Sequence, residues 1–569
     1  MRVPVQLAAP LALAALPSAQ LPTALAAVGE HLPGTPAEHS VVNVGSVATN
    51  AVGGFALVAW TNNAEGSDAR SWLWGSLDSS AAGVLRPLQT LGALEQIAFG
   101  TYHDLNDAGQ LIYRAAVLDA DQGGAELDSL WLDDTLLWKQ GDAVPGQAGA
   151  SWTLFARPVL QSDGSAWWIS NGTSLFGLQR ALYRGSNATP VYQAGDLVPP
   201  LTVPLDADAM DWAYAVAPNG AHHIAILRLD AGVDEDQFVA LDGQILQVGG
   251  QPIGEGELLG APLSGGPGER WRKTTSFSNI LGEFNPTTGQ IDVNAAGDYV
   301  FAGTTTAPAP QDVVVIKNGA LLFREGQSTI SGEINPWSSH WRLTEAGDVV
   351  HTSKLVLDGV IEDALWWNDV VLLVEGDSID LDGDGALDPH TKLERIVGEE
   401  LGLAQGADCA IYVQAQVDVL GTPQLWFDDI EALLRVELPQ LVGGPDTLSL
   451  SAGGQLRFDL CAGVAHAGEP YFVLGSTAGT TPGLPLGVDT LPLNPSAYLN
   501  LSLGAPNQPP LVDTLAALDS YGRAQAGLAL PSGSDPVLAG LTLHHAYLQL
   551  DASFAITGAS NALQAQLVP

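Results

Sequence analysis

The sequence Asn294-Ala-Ala-Gly-Asp-Tyr-Val-Phe301 joins a polar turn to an apolar strand, and weaker copies of it recur along the chain. Its glycine, Gly297, has counterparts at Gly53, Gly109, Gly164, Gly220, Gly347 and Gly406, at successive separations of 56, 55, 56, 77, 50 and 59 residues. Glycine adopts a positive φ without steric cost, and Asn or Asp can hydrogen-bond its own backbone, so each copy predicts a turn. A period near fifty residues is typical of repeat architectures.

A second recurring segment follows each turn and predicts a β-hairpin. The segment from Trp131 to Asp142 aligns with the segment from Trp366 to Asp377. Pairs of turn-forming residues stand between two apolar runs, where a hairpin tip belongs; these pairs are Asp133-Asp134, Asp242-Gly243, Asn318-Gly319, Asn368-Asp369 and Asp428-Asp429. Each unit then contains about four short strands and no helical periodicity, which describes a propeller blade.

We therefore predict an all-β chain with a β-propeller of seven blades over residues 50–441. Residues 27–49 are a lead-in, in which residues 40–47 could close the ring by completing the last blade. The repeat register ends near residue 442, after which short apolar strands alternate with Pro/Gly turns. Residues 442–569 are therefore expected to form a small C-terminal β-sandwich.

The N-terminal 26 residues have the pattern of a secretory signal peptide. Arg2 precedes an apolar stretch from Leu7 to Leu16, and Ala24-Leu25-Ala26 offers a small-residue cleavage site. No later apolar run is long enough to span a bilayer. We therefore expect a secreted or cell-surface protein, and a monomer.

Composition limits the partners. The chain has 21 Lys and Arg against 63 Asp and Glu, a net charge of −42, which disfavours nucleic acid and anionic lipid. Its two cysteines, Cys409 and Cys461, could pair in an exported protein. Strand alternation turns Cys409 inward and Cys461 outward, which favours two free thiols.

The repeat resembles a tandem-repeat family of secreted bacterial proteins with the pattern NxxGxxxF. Asn294, Gly297 and Phe301 match the pattern fully, whereas other copies match it in part. The resemblance implies an exported, propeller-like protein and brings no catalytic residues with it. The segments from Tyr471 to Gly483 and from Leu541 to Tyr547 resemble a module at the end of many unrelated exported bacterial proteins, which implies sorting or surface attachment.

One short segment has the spacing of a calcium loop. Asp380, Asp382 and Asp384 alternate before Gly385, and Asp388 follows, with the Ala386 carbonyl at the backbone-ligand position. Alternating oxygen ligands and a glycine for the sharp turn are what Ca²⁺ requires. Thr391 stands where an EF-hand has its bidentate Glu, and a strand precedes the loop. We predict a structural calcium site between strands, with Asp380, Asp382, Asp384, Ala386 and Asp388 as ligands.

Other recurring residues are better explained by structure than by chemistry. His222-His223 and His544-His545 lie on strands, where successive rings point to opposite faces. Trp131, Trp366 and Trp426 are expected to pack between blades. Asp142, Asp196 and Asp377 are expected to form turns.

Two functions remain open from the sequence. The first is a non-enzymatic scaffold that binds a glycan or a cell-surface protein through loops at one end of the ring. The second is a secreted hydrolase or lyase acting on polysaccharide, with carboxylates of several blades meeting at the propeller axis. The sequence contains no GxSxG or HExxH motif.

Overall fold

The chain is nearly all β, as the sequence predicts. The structure is a computed structural model. It describes residues 22–50, 52–77, 82–174, 177–206, 213–229, 237–248, 271–273, 291–308, 311–329, 332–335, 340–345, 347–357, 359–384, 386–388, 390–396, 402–403, 410–419, 430–438, 440–444, 447–463, 466–486, 489–520 and 522–569. Within these ranges the only α-helix is Ala497–Gly504, and Ala120–Gln122 and Pro536–Leu538 form single 3₁₀ turns. None of the described helices has the length and apolarity to cross a membrane.

The chain divides into two compact units. The first contains Leu21–Glu437 and Gly463–Ala465, and the second contains Leu438–Ala462 and His466–Pro569. The first unit is a succession of small antiparallel sheets, in most of which neighbouring strands follow each other in the chain. This arrangement is a series of meanders, as short apolar strands separated by tight turns predict.

The first four sheets take the chain from residue 39 to residue 248. Sheet 1 contains His39–Thr49, Phe55–Asn63, Arg70–Ser76 and Gly83–Arg86. Sheet 2 contains Thr90–Leu91, Leu94–Leu105, Leu111–Asp119, Ala125–Leu132 and Thr135–Lys139. Sheet 3 contains Ser151–Leu160, Ala166–Ser174, Gly177–Arg184 and Thr189–Gln193. Sheet 4 contains Ala213–Val216, His223–Arg228, Gln237–Leu241 and Gln244–Val248.

The remaining sheets of the first unit are less regular. Sheet 5 contains Trp271–Lys273, Ile291–Val293, Tyr299–Thr305, Val313–Lys317 and Ala320–Arg324. The next two sheets, each of four strands, are separate and are together called sheet 6: one contains Gln327–Ser328, Glu333–Asn335, Lys354–Leu357 and Val360–Glu362, and the other contains Trp341–Leu343, Val349–His351, Ala364–Trp367 and Val370–Val374. Sheet 7 contains Thr23–Ala27, Thr391–Ile396, Gly402–Leu403, Ala410–Val419 and Ile430–Glu437.

Sheet 7 joins the two ends of the first unit. The strand Thr23–Ala27, called the N-terminal strand below, pairs antiparallel with Ile430–Glu437. Residues 40–47 lie instead in His39–Thr49, which pairs with Phe55–Asn63 at the start of sheet 1. The expectation that residues 40–47 complete the last sheet is therefore wrong. Alternation alone could not show this, because both segments are apolar enough to pair with a buried strand.

The N-terminal strand overlaps the predicted signal peptide. The cleavage motif Ala24-Leu25-Ala26 lies within this strand, and Ala26 is fully buried. Most of the proposed leader, residues 1–21, lies outside the described residues. A cut after Ala26 would remove four of the five residues of this strand, including three of the four that pair with Ile430–Glu437. The small-residue pattern that indicates a cleavage site also suits a tightly packed strand.

Successive sheets share apolar cores. One core contains residues of sheets 1 and 2, and further cores join sheets 2 and 3, 3 and 4, 4 and 5, and 5 and 6. Another core combines residues of sheets 1 and 7, in which the rings of Phe55 and Tyr412 stack with their centroids 5.0 Å apart. Trp131 and Trp366 are fully buried, which confirms that they pack rather than face solvent. Trp426 lies outside the described residues.

The recurring turns have the predicted backbone. Gly297 has a φ of 84°, and its described counterparts also have positive φ; Gly406 lies outside the described residues. The asparagine of the motif has a second role. Oδ1 of Asn106 accepts the N–H groups of Ala108 and Gln110 at 3.1 and 2.9 Å, while its Nδ2 donates to the Gln161 carbonyl at 3.0 Å. The same side chain therefore closes its own turn and links it to the following sheet.

Asn50 and Asn294 repeat this link. Their Nδ2 atoms donate to the carbonyls of Asn106 and Thr344, each at 3.1 Å. The hairpin tips Asp133, Asp242, Asn318 and Asn368 have φ near 50°. Each side chain accepts the N–H of the residue that begins the neighbouring strand, at 2.8–3.0 Å. The predicted hairpin tips are therefore confirmed at these four places, and Asp428-Asp429 lies outside the described residues.

The second unit contains two main sheets that share one core. One sheet contains Leu441–Gly444, Gly454–Cys461, Leu511–Val512 and Arg523–Leu530. The other contains Thr447–Ser449, Pro470–Ser476, Leu515–Ala517, Thr542–Leu550, Ile556–Ala559 and Leu563–Val568. A separate hairpin contains Leu484–Leu486 and Asp489–Leu491. Apolar residues of both sheets form the shared core, including Phe458 and Tyr547.

Cys461 differs from the predicted exposed, free thiol. It is buried and forms a disulfide, whereas strand alternation predicts an outward-facing free thiol. Asp459, Leu460 and Cys461 are all buried, so both faces of the strand are covered at this end and alternation gives no information about exposure. Cys409 lies outside the described residues.

Candidate metal site

Three of the predicted calcium ligands lie together in the loop between Val370–Val374 and Thr391–Ile396. One carboxylate oxygen from each of Asp380, Asp382 and Asp384 lies within 4.8 Å of the other two, and no other group of three or more such residues is found in the described part of the chain. Ca²⁺–oxygen distances of about 2.3–2.6 Å allow two ligands of one ion to be about 5 Å apart. The spacing of the three carboxylates is therefore compatible with a single hard cation.

Local turns hold these carboxylates. Oδ1 of Asp380 accepts the Gly383 N–H at 2.8 Å, Oδ1 of Asp382 accepts the Asp384 N–H at 3.1 Å, and Oδ1 of Asp384 accepts the Ala386 N–H at 2.8 Å. A short acidic side chain that bonds to a later backbone N–H is the ordinary Asx turn. In each case the turn bond involves Oδ1, and Oδ2 of Asp380 also lies 3.5 Å from Oγ1 of Thr23.

The other two predicted ligands differ from these three. Oδ2 of Asp388 accepts the Leu381 N–H at 2.8 Å, and Asp388 is not in the three-carboxylate group. Its side chain bonds within the loop, and Asp388 stays a predicted ligand. Ala386 is exposed and its carbonyl remains a predicted ligand, whereas Gly385 lies outside the described residues.

The loop is anchored to the N-terminal strand. The N–H of Asp380 donates to the Pro22 carbonyl at 3.0 Å, and the Asp380 carbonyl accepts the Ala24 N–H at 2.9 Å. Oγ1 of Thr23 is 3.5 Å from Oδ2 of Asp380, and Asp380 is fully buried. The most buried candidate ligand is thus fixed by a segment more than 350 positions away in the sequence. No local pattern predicts that contact.

The field at the loop is negative. Burial raises the pKa of Glu30, the Ala27 N–H opposes this shift, and the charge of Asp382 adds to it. A cation at the three carboxylates would reduce this repulsion.

The recurring aspartates form turns, as predicted. Oδ2 of Asp142, Asp196 and Asp377 accepts the N–H three residues earlier, at 3.1, 3.0 and 2.8 Å. The backbones of the same residues bond to the first strand of the next sheet or to the segment before it, as in the bond from the Leu393 N–H to the Asp377 carbonyl at 2.8 Å. These residues connect sheets and are not brought together as one site.

His222 and His223 share one partner, although alternation predicts opposite faces. Nδ1 of His222 is 2.7 Å from Oδ2 of Asp242, and Nδ1 of His223 is 3.3 Å from Oδ1. The two rings meet because Asp242 lies at a hairpin tip rather than on either face of the strand. Nε2 of His223 is also 3.4 Å from the Tyr192 hydroxyl, and burial lowers the pKa of His223. The pair is a satisfied structural group, as expected.

The second histidine pair is also structural. Nε2 of His545 is 2.8 Å from the Tyr498 hydroxyl, and the His545 ring lies 4.5 Å from the ring of Phe458. His545 is buried, and burial lowers its pKa to about 3. It is therefore neutral at physiological pH.

Acidic residues on the strands Leu94–Leu105 and Ile291–Val293 were missed from the sequence. Oδ2 of Asp104 accepts the Leu160 N–H at 2.7 Å, and Oδ2 of Asp292 accepts the Leu343 N–H at 2.8 Å. Each acid stands two residues before a motif asparagine, Asn106 or Asn294. This shared position, two residues before the asparagine, is the sequence signal that could have identified the two acids. Both carboxylates connect successive sheets.

Comparisons with known proteins assign no family. No known protein family and no curated protein matches the chain. The extracellular domain of a hybrid two-component system from B. thetaiotaomicron is 10% identical, with 95% of this chain and 76% of that chain covered and a TM-score of 0.18. The tetra-tandem repeat of a large adhesion protein is 12% identical, covers 94% and 93%, and has a TM-score of 0.11. An ancestral GH74 enzyme is 10% identical, covers 94% and 83%, and has a TM-score of 0.22. Scores this low identify no common fold, so none of these proteins assigns a function to this chain.

Proposed function

We propose that this chain is an exported or cell-surface scaffold: a seven-bladed β-propeller that binds a glycan or a surface protein through its loops and is stabilised by calcium. The observation that supports it most is the series of shared cores, which runs from sheet 1 to sheet 6, together with a further core that joins sheet 7 to sheet 1. The N-terminal strand, paired with Ile430–Glu437, would close the ring. A ring closed by its own two ends is rigid and presents many loops on two faces.

A binding role is favoured over the polysaccharide-acting enzyme. The enzyme hypothesis requires carboxylates from several blades at the axis, where the first strand of each sheet would lie. Asp104, on Leu94–Leu105, and Asp292, on Ile291–Val293, bond instead to backbone N–H groups of the next sheet. Burial raises the pKa of Asp292, and the charge of Arg342 opposes this shift. These two side chains therefore link neighbouring sheets through hydrogen bonds.

The purified chain tests the two roles directly. A panel of polysaccharides is screened for retention of the protein and for release of oligosaccharide. The scaffold proposal expects retention without product. Released oligosaccharide that disappears when Asp104 and Asp292 are replaced would contradict it and support the enzyme.

We propose calcium at Asp380, Asp382 and Asp384, with the Ala386 carbonyl as a further ligand. The ion's role would be to fix the loop and, through Asp380, the N-terminal strand to which its backbone is bonded. The sequence prediction also includes Asp388 as a ligand, and its side chain bonds to the Leu381 N–H.

Isothermal titration of Ca²⁺ into wild type, Asp382→Ala and Asp163→Ala tests this site. Asp163 is the matched control, because it forms the same kind of turn, with Oδ1 accepting the Ser165 N–H at 2.8 Å, but belongs to no carboxylate group. Asp382→Ala is expected to bind one Ca²⁺ fewer than wild type, and Asp163→Ala the same number. Equal binding by wild type and Asp382→Ala would rule out the loop site.

A further inference from the structure

A second pair of acidic residues lies on sheet 5, away from the loop. Asp312 directly precedes the strand Val313–Lys317, and Glu325 directly follows Ala320–Arg324. These strands are antiparallel neighbours, and the Glu325 N–H donates to the Val313 carbonyl at 2.9 Å. Strand pairing therefore brings the two residues to the same end of the sheet. Asp312 lies just before its strand, and its side chain is within hydrogen-bonding reach of the Glu325 side chain.

Both carboxyl groups have a buried oxygen without a hydrogen-bond partner. Among the described residues, no N–H or hydroxyl group donates a hydrogen bond to Oε2 of Glu325 or Oδ1 of Asp312, and both atoms are inaccessible to solvent. Glu325 is only 8% exposed. A buried carboxylate without a partner is strongly unfavourable, and two in contact also repel each other. The two carboxylates have no positively charged partner among the described residues.

The neighbouring side chains do not supply that charge. Burial raises the pKa of Glu325 to about 7, and the hydrogen bond and charge of Asp312 add to this, as does the charge of Glu333. The Val313 backbone N–H opposes the shift, and no cationic group contributes to it. The adjacent Arg324 directs Nη1 to the Gln311 carbonyl at 2.8 Å. A hydrogen ion shared by the two carboxyl groups would neutralise only one charge, whereas a divalent cation neutralises both.

We propose that Asp312 and Glu325 bind a divalent cation of the calcium class, independently of the 380–388 loop. Two carboxylates can supply up to about four oxygens to such an ion, and water can complete the shell because Asp312 is only half-buried. Glu333 is exposed on the adjoining strand Glu333–Asn335 and adds negative charge on that side. The site would hold together the last two strands of sheet 5.

The test uses the full chain with Asp382→Ala, which removes the proposed loop site. Titration at pH 8 is expected to show one remaining Ca²⁺ site, and Ca²⁺ is expected to raise the melting temperature by roughly 3 °C relative to EDTA. Adding Glu325→Gln should abolish both effects. Glutamine keeps the size of the side chain and can donate to Asp312. Glu126→Gln, at an exposed strand position, is the matched control and should change neither.

Two results would overturn the site. One is an unchanged calcium response in Asp382→Ala/Glu325→Gln. The other is a melting temperature in the Asp382→Ala chain that falls between pH 6 and pH 8 by the same amount with Ca²⁺ and with EDTA, which would show that the pair only shares a proton. Asp312→Asn replaces Glu325→Gln if the latter does not fold. Failure of the loop site would appear instead as equal binding by wild type and Asp382→Ala, so the two failures are distinguishable.

Discussion

The 380–388 loop and the pair of Asp312 and Glu325 both concentrate negative charge, but they do so by different means. In the loop, three carboxylates from five consecutive positions are held by bonds to backbone N–H groups within the same segment. In the pair, two residues from separate strands meet because the strands are hydrogen-bonded neighbours. A site made by one segment is visible in the sequence, whereas a site made by sheet pairing requires knowledge of which strands are paired.

The two regions also differ in what supports them. The loop depends on the N-terminal strand, to which the backbone of Asp380 is bonded on both sides. The pair depends only on the strands of sheet 5. Changes to the N-terminal strand should therefore affect the loop and leave the pair intact, which gives the first and largest prediction.

A chain that begins at Ala27 should lose loop binding and much of its stability compared with one that begins at Pro22. The shorter chain lacks most of the N-terminal strand and the two backbone partners of Asp380, and it exposes the edge of Ile430–Glu437. We expect a loss of about 3 kcal/mol in the free energy of unfolding, from several backbone hydrogen bonds at about 1 kcal/mol each. Urea unfolding measures this loss, and calcium titration should still show one site. Equal stability of the two chains would show that the strand is dispensable.

Asp380→Ala should cost more than any other single substitution in the loop. The side chain is fully buried, and its removal leaves the Gly383 N–H without its acceptor. In EDTA we expect a loss of about 2 kcal/mol in the free energy of unfolding, together with loss of loop calcium. Asp380→Asn is the control, because the amide oxygen can still accept from Gly383; it should retain most of the stability and lose calcium. The prediction is wrong if both variants unfold like wild type.

Glu325→Gln should reduce the pH dependence of stability in EDTA. The pKa of Glu325 rises from 4.5 to about 7 in the folded chain, so the folded state holds this proton more tightly than the unfolded state. Its contribution to stability is full below about pH 4.5 and is lost as the pH rises through 7. Wild type should therefore lose more stability than Glu325→Gln between pH 5 and pH 8, as melting temperatures would show. If the melting temperatures of the two proteins change with pH in the same way, the raised pKa of Glu325 is contradicted.

Asp384→Ala should have the smallest effect without calcium. Asp384 is exposed, and its side chain accepts the Ala386 N–H in a surface turn. We expect a change below about 0.5 kcal/mol in EDTA, as for most surface substitutions, but a clear loss of calcium affinity. Comparison with Asp380→Ala separates the structural part of the loop from its ion-binding part. A large loss of stability in EDTA would show that the exposed turn supports the fold without the ion.

The sequence by itself determined the features that depend on a few neighbouring residues. The glycine turns at Gly297 and its described counterparts, the hairpin tips such as Asn318, and the clustering of Asp380, Asp382 and Asp384 all follow from short-range backbone chemistry. The nearly all-β character follows from the same signals, because tight turns at short intervals leave room only for short strands.

Only the tertiary structure decided which distant segments meet. It placed the N-terminal strand, rather than residues 40–47, beside Ile430–Glu437, and it buried Cys461 on a strand whose alternation indicates an exposed position. It also brought Glu325 to Asp312, two ordinary acids in a chain that has 63. These outcomes depend on pairing and packing between residues far apart in the sequence. Many segments have patterns that would fit each partner, so only the complete set of pairings and shared cores selects one of them.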